Sequence, residues 1–458
     1  MTAAFFTLGC KLNQIETEAI TGSFTQSGFL LVPWGKPADI AVLNTCTVTS
    51  HAEQKARRQI RLALSRCRFV VVTGCCDPFS DEDLDGERVE RLVYVPGARK
   101  DLLLDLAETL AGKESAEASR MRQIIRKLLK EPESTPQADE RTARSELNRF
   151  RFNPPRFLFH SRAFLKIQDG CDRACAYCRV PIARGPGISL ESGVILQRLR
   201  DLESRGFAEA VLSGVNVCQY SSAGMRFADL LDFLLRGTSR IALRLSSIDP
   251  VQALEDGFAV VSDKRIRPHF HLSVQSGSSR VLAAMNRPYT GERIVRAVLR
   301  LRSLKQDPFI GCDIIAGFPG ETGECFEETK ALCRESAFAS IHAFPFSRRP
   351  GTKAFYLKNS VPERVSRARV GELLQLSRQG RAAYISRWLG KRVEALALKK
   401  AQKKPVFFTA LTDNYLRVRL CDNPPAGAFL CRLLPVPAEA DGIDAGGVFD
   451  EKQEINLY

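Results

Sequence analysis

The chain has 458 residues, 67 Lys and Arg against 52 Asp and Glu, a formal charge of +15, and 14 cysteines. That length fits two or three domains, and the charge favours a polyanionic partner. No apolar run reaches the roughly 18 residues of a membrane span and Met1-Thr-Ala-Ala-Phe-Phe carries no basic leader, so the expectation is a cytoplasmic protein whose cysteines serve metal, catalysis or packing and not disulfides.

From the N-terminus, three short apolar runs each end in a cysteine. Ala3 to Gly9 leads to Cys10, Ile40 to Thr45 to Cys46, and Phe69 to Gly74 to Cys75. Helical stretches lie between them, Asn13 to Ser27 and Ala52 to Ser65, which predicts a parallel sheet with helices on its faces. Ligands collect beyond the carboxyl ends of such strands, so the three thiols would meet there. A cysteine packed after a strand is also common without any ligand. Cys76 is an alternative ligand whose side chain should point away from that of Cys75, and Cys67, preceding its strand, belongs at the opposite edge. This first domain is read as 1–112. Residues 113–155, rich in proline and mixed charge, read as a flexible or weakly helical linker.

Next comes Lys166-Ile-Gln-Asp-Gly-Cys171-Asp-Arg-Ala-Cys175-Ala-Tyr-Cys178. Three cysteines in C-x3-C-x2-C spacing follow a strand-like run, Ala163 to Ile167, on a loop opened by glycine. Three thiolates are one short of the four that usually hold a cubane cluster, and the second C-x2-C or histidine pair usual in zinc fingers does not follow; three ordinary cysteines, or a zinc site that borrows a distant ligand, are the alternative reading. An iron without a protein ligand is open to the amino and carboxylate groups of S-adenosylmethionine (SAM), whose radical chemistry a protein positions.

Six strand-like runs then recur with helices between them: Ala163–Ile167, Glu209–Leu212, Ile241–Leu245, His269–Val274, Gly311–Ala316 and Ser340–Phe346. Each ends in a polar or glycine-rich loop, which predicts a partial (β/α)6 barrel over 156–389 with its chemistry on the carboxyl face. Candidate cofactor contacts are Tyr177, Ser213, Gly214, Asn216, Gln275, Ser276, Gly317, Gly320 and Glu321. His269 and His271 share a strand face but lack a third partner, and read as packing or hydrogen-bonding residues. A basic helix, Pro362 to Leu389, precedes four short strands that predict a small β-barrel over 390–436, followed by a tail over 437–458. Residues Lys391 to Leu420 carry eight Lys/Arg and two Asp/Glu, suited to a phosphate backbone, with Phe407, Phe408 and Tyr415 as stacking groups or core.

The motifs Thr7-Leu-Gly-Cys-Lys-Leu-Asn-Gln14, Asn44-Thr-Cys-Thr-Val-Thr49, Thr73-Gly-Cys75, the Cys171/Cys175/Cys178 loop, His271-Leu-Ser-Val-Gln-Ser-Gly277, Met285-Asn-Arg-Pro-Tyr-Thr290, Gly317-Phe-Pro-Gly-Glu-Thr322 and His342-Ala-Phe-Pro-Phe-Ser347 together resemble the radical-SAM methylthiotransferases. The resemblance implies an N-terminal methylthiotransferase domain whose Cys10, Cys46 and Cys75 hold one [4Fe–4S] cluster, and a radical-SAM domain whose Cys171, Cys175 and Cys178 hold another that binds SAM. It also implies a divergent, TRAM-like RNA-binding barrel at the C-terminus.

Lys11 and Asn13, with Phe344 to Thr352, resemble the branch that acts on threonylcarbamoyladenosine at position 37 of tRNA, beside the anticodon. Sister branches act on isopentenyladenosine in tRNA or on an aspartate of a ribosomal protein, and a cluster-bearing RNA-binding protein without catalysis is the non-enzymatic alternative. In the chemistry implied, a deoxyadenosyl radical abstracts hydrogen from adenine C2 and methylated sulfur is delivered through the N-terminal cluster, both clusters facing one dry cavity. The partners implied are tRNA, an electron donor such as flavodoxin or ferredoxin, and a sulfur source, with the protein a monomer away from membranes. No separate acid–base pair stands out. Asp77-Pro78, Gly185 to Leu190 and Cys218 depart from the pattern of relatives, which bears on substrate contacts more than on cluster binding.

Overall fold

The computed structural model describes residues 1–46, 50–75, 90–111, 118–130, 148–398, 407–425, 427–436 and 442–449. Cys76, Asp77, Pro78 and most of the expected linker lie outside them. The chain divides into two compact units. One comprises 1–158, 166–173 and 178–190, and the other 159–165, 174–177 and 191–458.

The first unit is built on a five-stranded parallel sheet of order β2-β1-β3-β4-β5, from β1 (Thr2–Thr7), β2 (Leu30–Leu31), β3 (Ala38–Thr45), β4 (Cys67–Gly74) and β5 (Leu92–Pro96). Its central strands β3 and β4 are buried almost continuously, as befits parallel strands covered on both faces. Helices α1 (Lys11–Gln26), α2 (Ser50–Arg66), α3 (Leu102–Leu110) and α4 (Ala118–Lys130) accompany them. α4 falls in the stretch expected to be linker. Register decides where each strand stops: Thr7 pairs with Asn44, and Thr45 with Gly74. Cys10, Cys46 and Cys75 therefore follow three adjacent strands at one edge. Cys67, at the start of β4, lies at the other edge, where burial pushes its thiol up.

In the second unit all six expected strands form. β6 (Ala163–Lys166), β9 (Glu209–Ser213) and β12 (Ala242–Leu245) make one parallel group, and β13 (His269–Gln275), β14 (Phe309–Ala316) and β15 (Ser340–Pro345) another. Isolated parallel bridges, Leu243 to Ile266 and Ile248 to Leu272, carry the wall past the gap. Short strands β7 (Gln168–Asp169) and β8 (Ile188–Ser189) pair in the first unit, and β10 (Ser221–Ser222) and β11 (Met225–Arg226) in the second. Helices α5 (Val180–Arg184), α6 (Ser192–Ser204), α7 (Phe227–Gly237), α8 (Ser279–Ala284), α9 (Gly291–Leu304), α10 (Gly323–Glu335) and α11 (Glu363–Trp388) follow in chain order, α5 belonging to the first unit. No helix among the described residues is long and apolar enough to cross a membrane.

The chain ends in a closed barrel of order β16-β17-β18-β20-β19, from β16 (Arg392–Ala397), β17 (Phe408–Thr412), β18 (Arg417–Leu420), β19 (Ala428–Leu434) and β20 (Ala445–Phe449). β20 comes from the stretch expected to be tail, and closes the barrel by pairing parallel to β18 and antiparallel to β19. Tyr415, a candidate RNA-stacking residue, instead stacks on His269 with ring centroids 3.8 Å apart. Phe408 packs against the barrel core, and Phe407 lies under the Arg419 guanidinium.

Candidate active site: two sets of cysteines

The strand-end thiols of the first unit converge. Cys46 Sγ hydrogen-bonds Cys75, and a methyl group placed on Gly9 would meet Cys46 Cβ at 2.6 Å and Sγ at 3.1 Å. Gly9 thus lets the Cys10 loop lie directly against Cys46, and its φ of +107° is one that side-chain-bearing residues rarely adopt. Gly74 does the same for Cys75: its φ is +140°, and a Cβ there would sit 2.1 Å from the Thr45 carbonyl oxygen. Asn13 stitches two of the loops together, donating from Nδ2 to the carbonyls of Leu8 (2.7 Å) and Thr45 (3.1 Å). Cys10 stands at the N-cap of α1 without capping it.

Beside the thiols lies a buried ion network that no local motif announces. Glu16 receives Lys100 Nζ at 2.6 Å, Lys166 Nζ at 3.0 Å and Arg184 Nη1 at 3.0 Å. Asp169 receives Lys166 at 2.7 Å and Arg184 at 3.0 Å. The side chains of Glu16, Asp169, Lys100 and Lys166 are all at most 5% exposed. Burial alone would raise both carboxyls, but the surrounding cations hold Glu16 and Asp169 well below the usual carboxylate range. Lys100, Lys166 and Arg184, with Arg149 3.5 Å from Asp169 at the rim, outnumber the two carboxylates, so positive charge is left for the sulfurs.

Arg184 supplies it. Its guanidinium feels both Cys10 and Cys75, which with Glu16 and Asp169 hold it protonated despite burial. The Cys75 thiol is correspondingly drawn down to about 5, first by the hydrogen bond with Cys46 and then by Arg184 and Lys100. A thiolate is the metal-binding form of cysteine. A cavity of about 330 Å³ opens beside this arrangement, lined by Cys75, Gly97, Lys100, Arg149, Asp169 and Arg184 among others.

Along the Cys171 to Cys178 stretch, Cys171 and Cys178 belong to the first unit. The Arg173 amide lies 3.4 Å from Cys171 Sγ, and the Val180 amide 3.4 Å from Cys178 Sγ. Gly170 has no room for a side chain: a Cβ would lie 1.8 Å from the Pro186 carbonyl oxygen. Cys175 belongs to the second unit, where Arg287 Nη1 donates to its sulfur at 3.2 Å. Arg287 is itself fixed by the Ser273 carbonyl at 3.1 Å and by Asp249 at 3.4 Å. Amide and guanidinium donors aimed at sulfur are the contacts that tune iron–sulfur centres. Arg287 lies inside the Met285 to Thr290 motif, and nothing in that motif alone says which cysteine it serves.

The candidate cofactor residues divide by what they touch. Tyr177 packs with Ala176, Met285 and Phe318. Ser213 is buried at the end of β9, its hydroxyl donating to Val211 O at 3.3 Å, and Gly214 and Asn216 follow in the next loop. Gln275 ends β13 with φ +71°, beside a register shift against β14. Left-handed backbone is costly for a glutamine, and it turns the strand sharply into the following loop. Ser276 faces Thr329 Oγ1 at 3.3 Å. Gly317 admits α11, since a Cβ would lie 1.9 Å from Ser366 Oγ. Glu321 accepts from the Gly317 amide at 3.1 Å and from Arg369, while Gly320, φ +85°, faces open space. Ser276, Gly317 and Glu321 therefore shape the loops through internal contacts.

Residues 165–333 match the Radical SAM superfamily model, and residues 2–94 match the model described as Uncharacterized protein family UPF0004. The chain is 39% identical to the threonylcarbamoyladenosine tRNA methylthiotransferase MtaB of Treponema pallidum, over 91% of this chain and 94% of that one. It is 31% identical to the tRNA-2-methylthio-N(6)-dimethylallyladenosine synthase of Cereibacter sphaeroides, over 92% of each. Among solved structures it is similar to the radical S-adenosylmethionine methyltransferase TsrM from Kitasatospora setae, with TM-score 0.47 and 15% identity, covering 77% of this chain and 73% of that one.

Proposed function

Because the chain belongs to the radical-SAM methylthiotransferase family, we propose that it adds a methylthio group to C2 of N6-threonylcarbamoyladenosine at position 37 of tRNA. The observation that carries the proposal is the gathering of Cys10, Cys46 and Cys75 at one sheet edge beside surplus positive charge. A nest of thiols with that charge suits an anionic iron–sulfur core, although Cys46 also packs with Leu8 and Ala56. The cofactors are SAM and two [4Fe–4S] clusters, which supply radical cleavage of SAM and delivery of sulfur.

In this reading Cys10, Cys46 and Cys75 hold one cluster, and Cys171, Cys175 and Cys178 the other. Beyond the hydrogen bond with Cys46, Arg184 and Lys100 draw the Cys75 thiol down towards its metal-binding thiolate form, with Glu16 and Asp169 fixing the cations in place. Arg287 orients Cys175 and neutralises charge on its sulfur. The apolar packing of Ala176 and Tyr177 on Met285 and Phe318 keeps water from the loop. The backbone after β9 and the left-handed turn at Gln275 are offered as SAM contacts. The tRNA is gripped in part by the basic C-terminal barrel, the electron comes from a flavodoxin- or ferredoxin-like donor, sulfur comes from a separate source, and the protein acts as a cytoplasmic monomer.

The relative that acts on dimethylallyladenosine keeps a second substrate in view. Nucleoside analysis of bulk tRNA from a deletion strain decides between them. Loss of 2-methylthio-N6-threonylcarbamoyladenosine alone, restored by the intact gene, is the expected result. Loss of the dimethylallyl nucleoside, or of neither, overturns the assignment.

A further inference from the structure

In the second unit, three side chains outside both cysteine sets come together on adjacent strands. His271 is on β13, Asp313 on β14 and His342 on β15. Register puts them on one face, since His271 pairs with Gly311, two residues before Asp313, and Asp313 pairs with His342. His271 Nε2 lies 2.9 Å from Asp313 Oδ1 and His342 Nδ1 lies 3.5 Å from the same oxygen. One donor atom from each of the three falls within 4.8 Å of the other two. Gly311 leaves the space: a Cβ there would approach His271 Nδ1 to 3.2 Å.

The geometry points to a binding site for one divalent first-row transition-metal ion, held by His271, Asp313 and His342. Two imidazoles and a carboxylate are the ligand set of open, three-ligand zinc and ferrous sites. A tetrahedral ion with arms of about 2.0–2.1 Å separates its ligands by about 3.3–3.4 Å, and the two nitrogen–oxygen distances bracket that edge. Donors carried on hydrogen-bonded neighbouring strands are already in place, so little ordering remains to be done on binding.

Three protein ligands leave coordination positions open. Ser273, whose carbonyl receives Arg287, follows His271 by two residues on the same strand face, and Arg287 reaches Cys175. The site therefore sits roughly 7 Å along the strand from the anchor of that cysteine. His342 is the outermost donor, with 56% of its side chain exposed, against 13% for His271. An ion would thus be reached from the His342 side, and would offer its open positions to an oxygen donor such as a carboxylate or hydroxyl.

The test uses cluster-loaded full-length protein as wild type, Asp313→Asn and His342→Gln, each equilibrated anaerobically with Zn²⁺ and desalted. Metal analysis should find about one more zinc per chain in wild type than in either variant, with iron and sulfide equal in all three. Zinc X-ray absorption should show a first shell of nitrogen and oxygen only, and zinc affinity should fall about 10-fold or more in each variant. Equal zinc in the three proteins means that the contacts are hydrogen bonds to one carboxylate, and overturns the site. Sulfur in the zinc shell places the ion on cysteines, and overturns it equally. His342→Gln guards against misfolding, because that side chain is the most exposed of the three.

Discussion

The two cysteine sets reach the same donor chemistry by opposite routes. Cys171, Cys175 and Cys178 lie within eight residues, so closing that loop costs little chain entropy. Cys10, Cys46 and Cys75 are brought together only when β1, β3 and β4 are in register. The first set can be recognised from spacing alone. The second depends on a completed sheet, two glycines with positive φ and a buried charge network, so more distant substitutions should damage it.

The sharpest break in that comparison is removal of one ligand from each set. Cys171→Ala and Cys10→Ala should each lower iron from about eight to about four per chain and abolish methylthiolation. Only Cys171→Ala should also abolish deoxyadenosine release from SAM, and product analysis separates the two. Next is Glu16→Gln, which removes one partner of a buried network. It should destabilise the first unit by about 3–5 kcal/mol, read by denaturant unfolding, and a cost near zero would make the network incidental.

Gly74→Ala should cost on the order of 2–3 kcal/mol through its left-handed φ and the clash with Thr45, and deplete the N-terminal cluster first. Arg287→Met should keep both clusters yet slow deoxyadenosine formation about 10- to 100-fold. The smallest effect is on pH. Glu16 and Asp169 have folded-state pKa values below their unfolded values, so their contribution is complete above about pH 5 and is lost as pH falls through and below the ordinary carboxylate range. Acid unfolding of Glu16→Gln should therefore show a shallower acid limb than wild type.

The strands, and the position of Cys10, Cys46 and Cys75 after three adjacent ones, were legible because parallel strands buried on both faces read as unbroken apolar runs. The ion network was not. Glu16 sits in an amphipathic-looking helix, and its partner Lys166 is 150 residues away, so no local pattern links them. The same holds for His271. It lacked a third partner on its own strand, and Asp313 and His342 join it only across β14 and β15. β20 was missed because Ala445 to Phe449 contains two glycines and too little apolar alternation to announce a strand. Tyr415 is basic-barrel sequence by neighbourhood and yet is spent on His269.

That last contact is one of several that fix the barrel in place. Arg267 pairs with both Glu209 and Glu394, Arg244 with Glu209 and the Thr412 carbonyl, and Tyr415 lies on His269. The C-terminal barrel is thus bolted to the floor of the six-stranded wall and has no tether to swing on. Under the proposed grip of tRNA by the barrel, a ruler of fixed length results: an RNA would gain from both footholds only if its own span matched, and a shortened stem-loop would forfeit the far one outright instead of gradually.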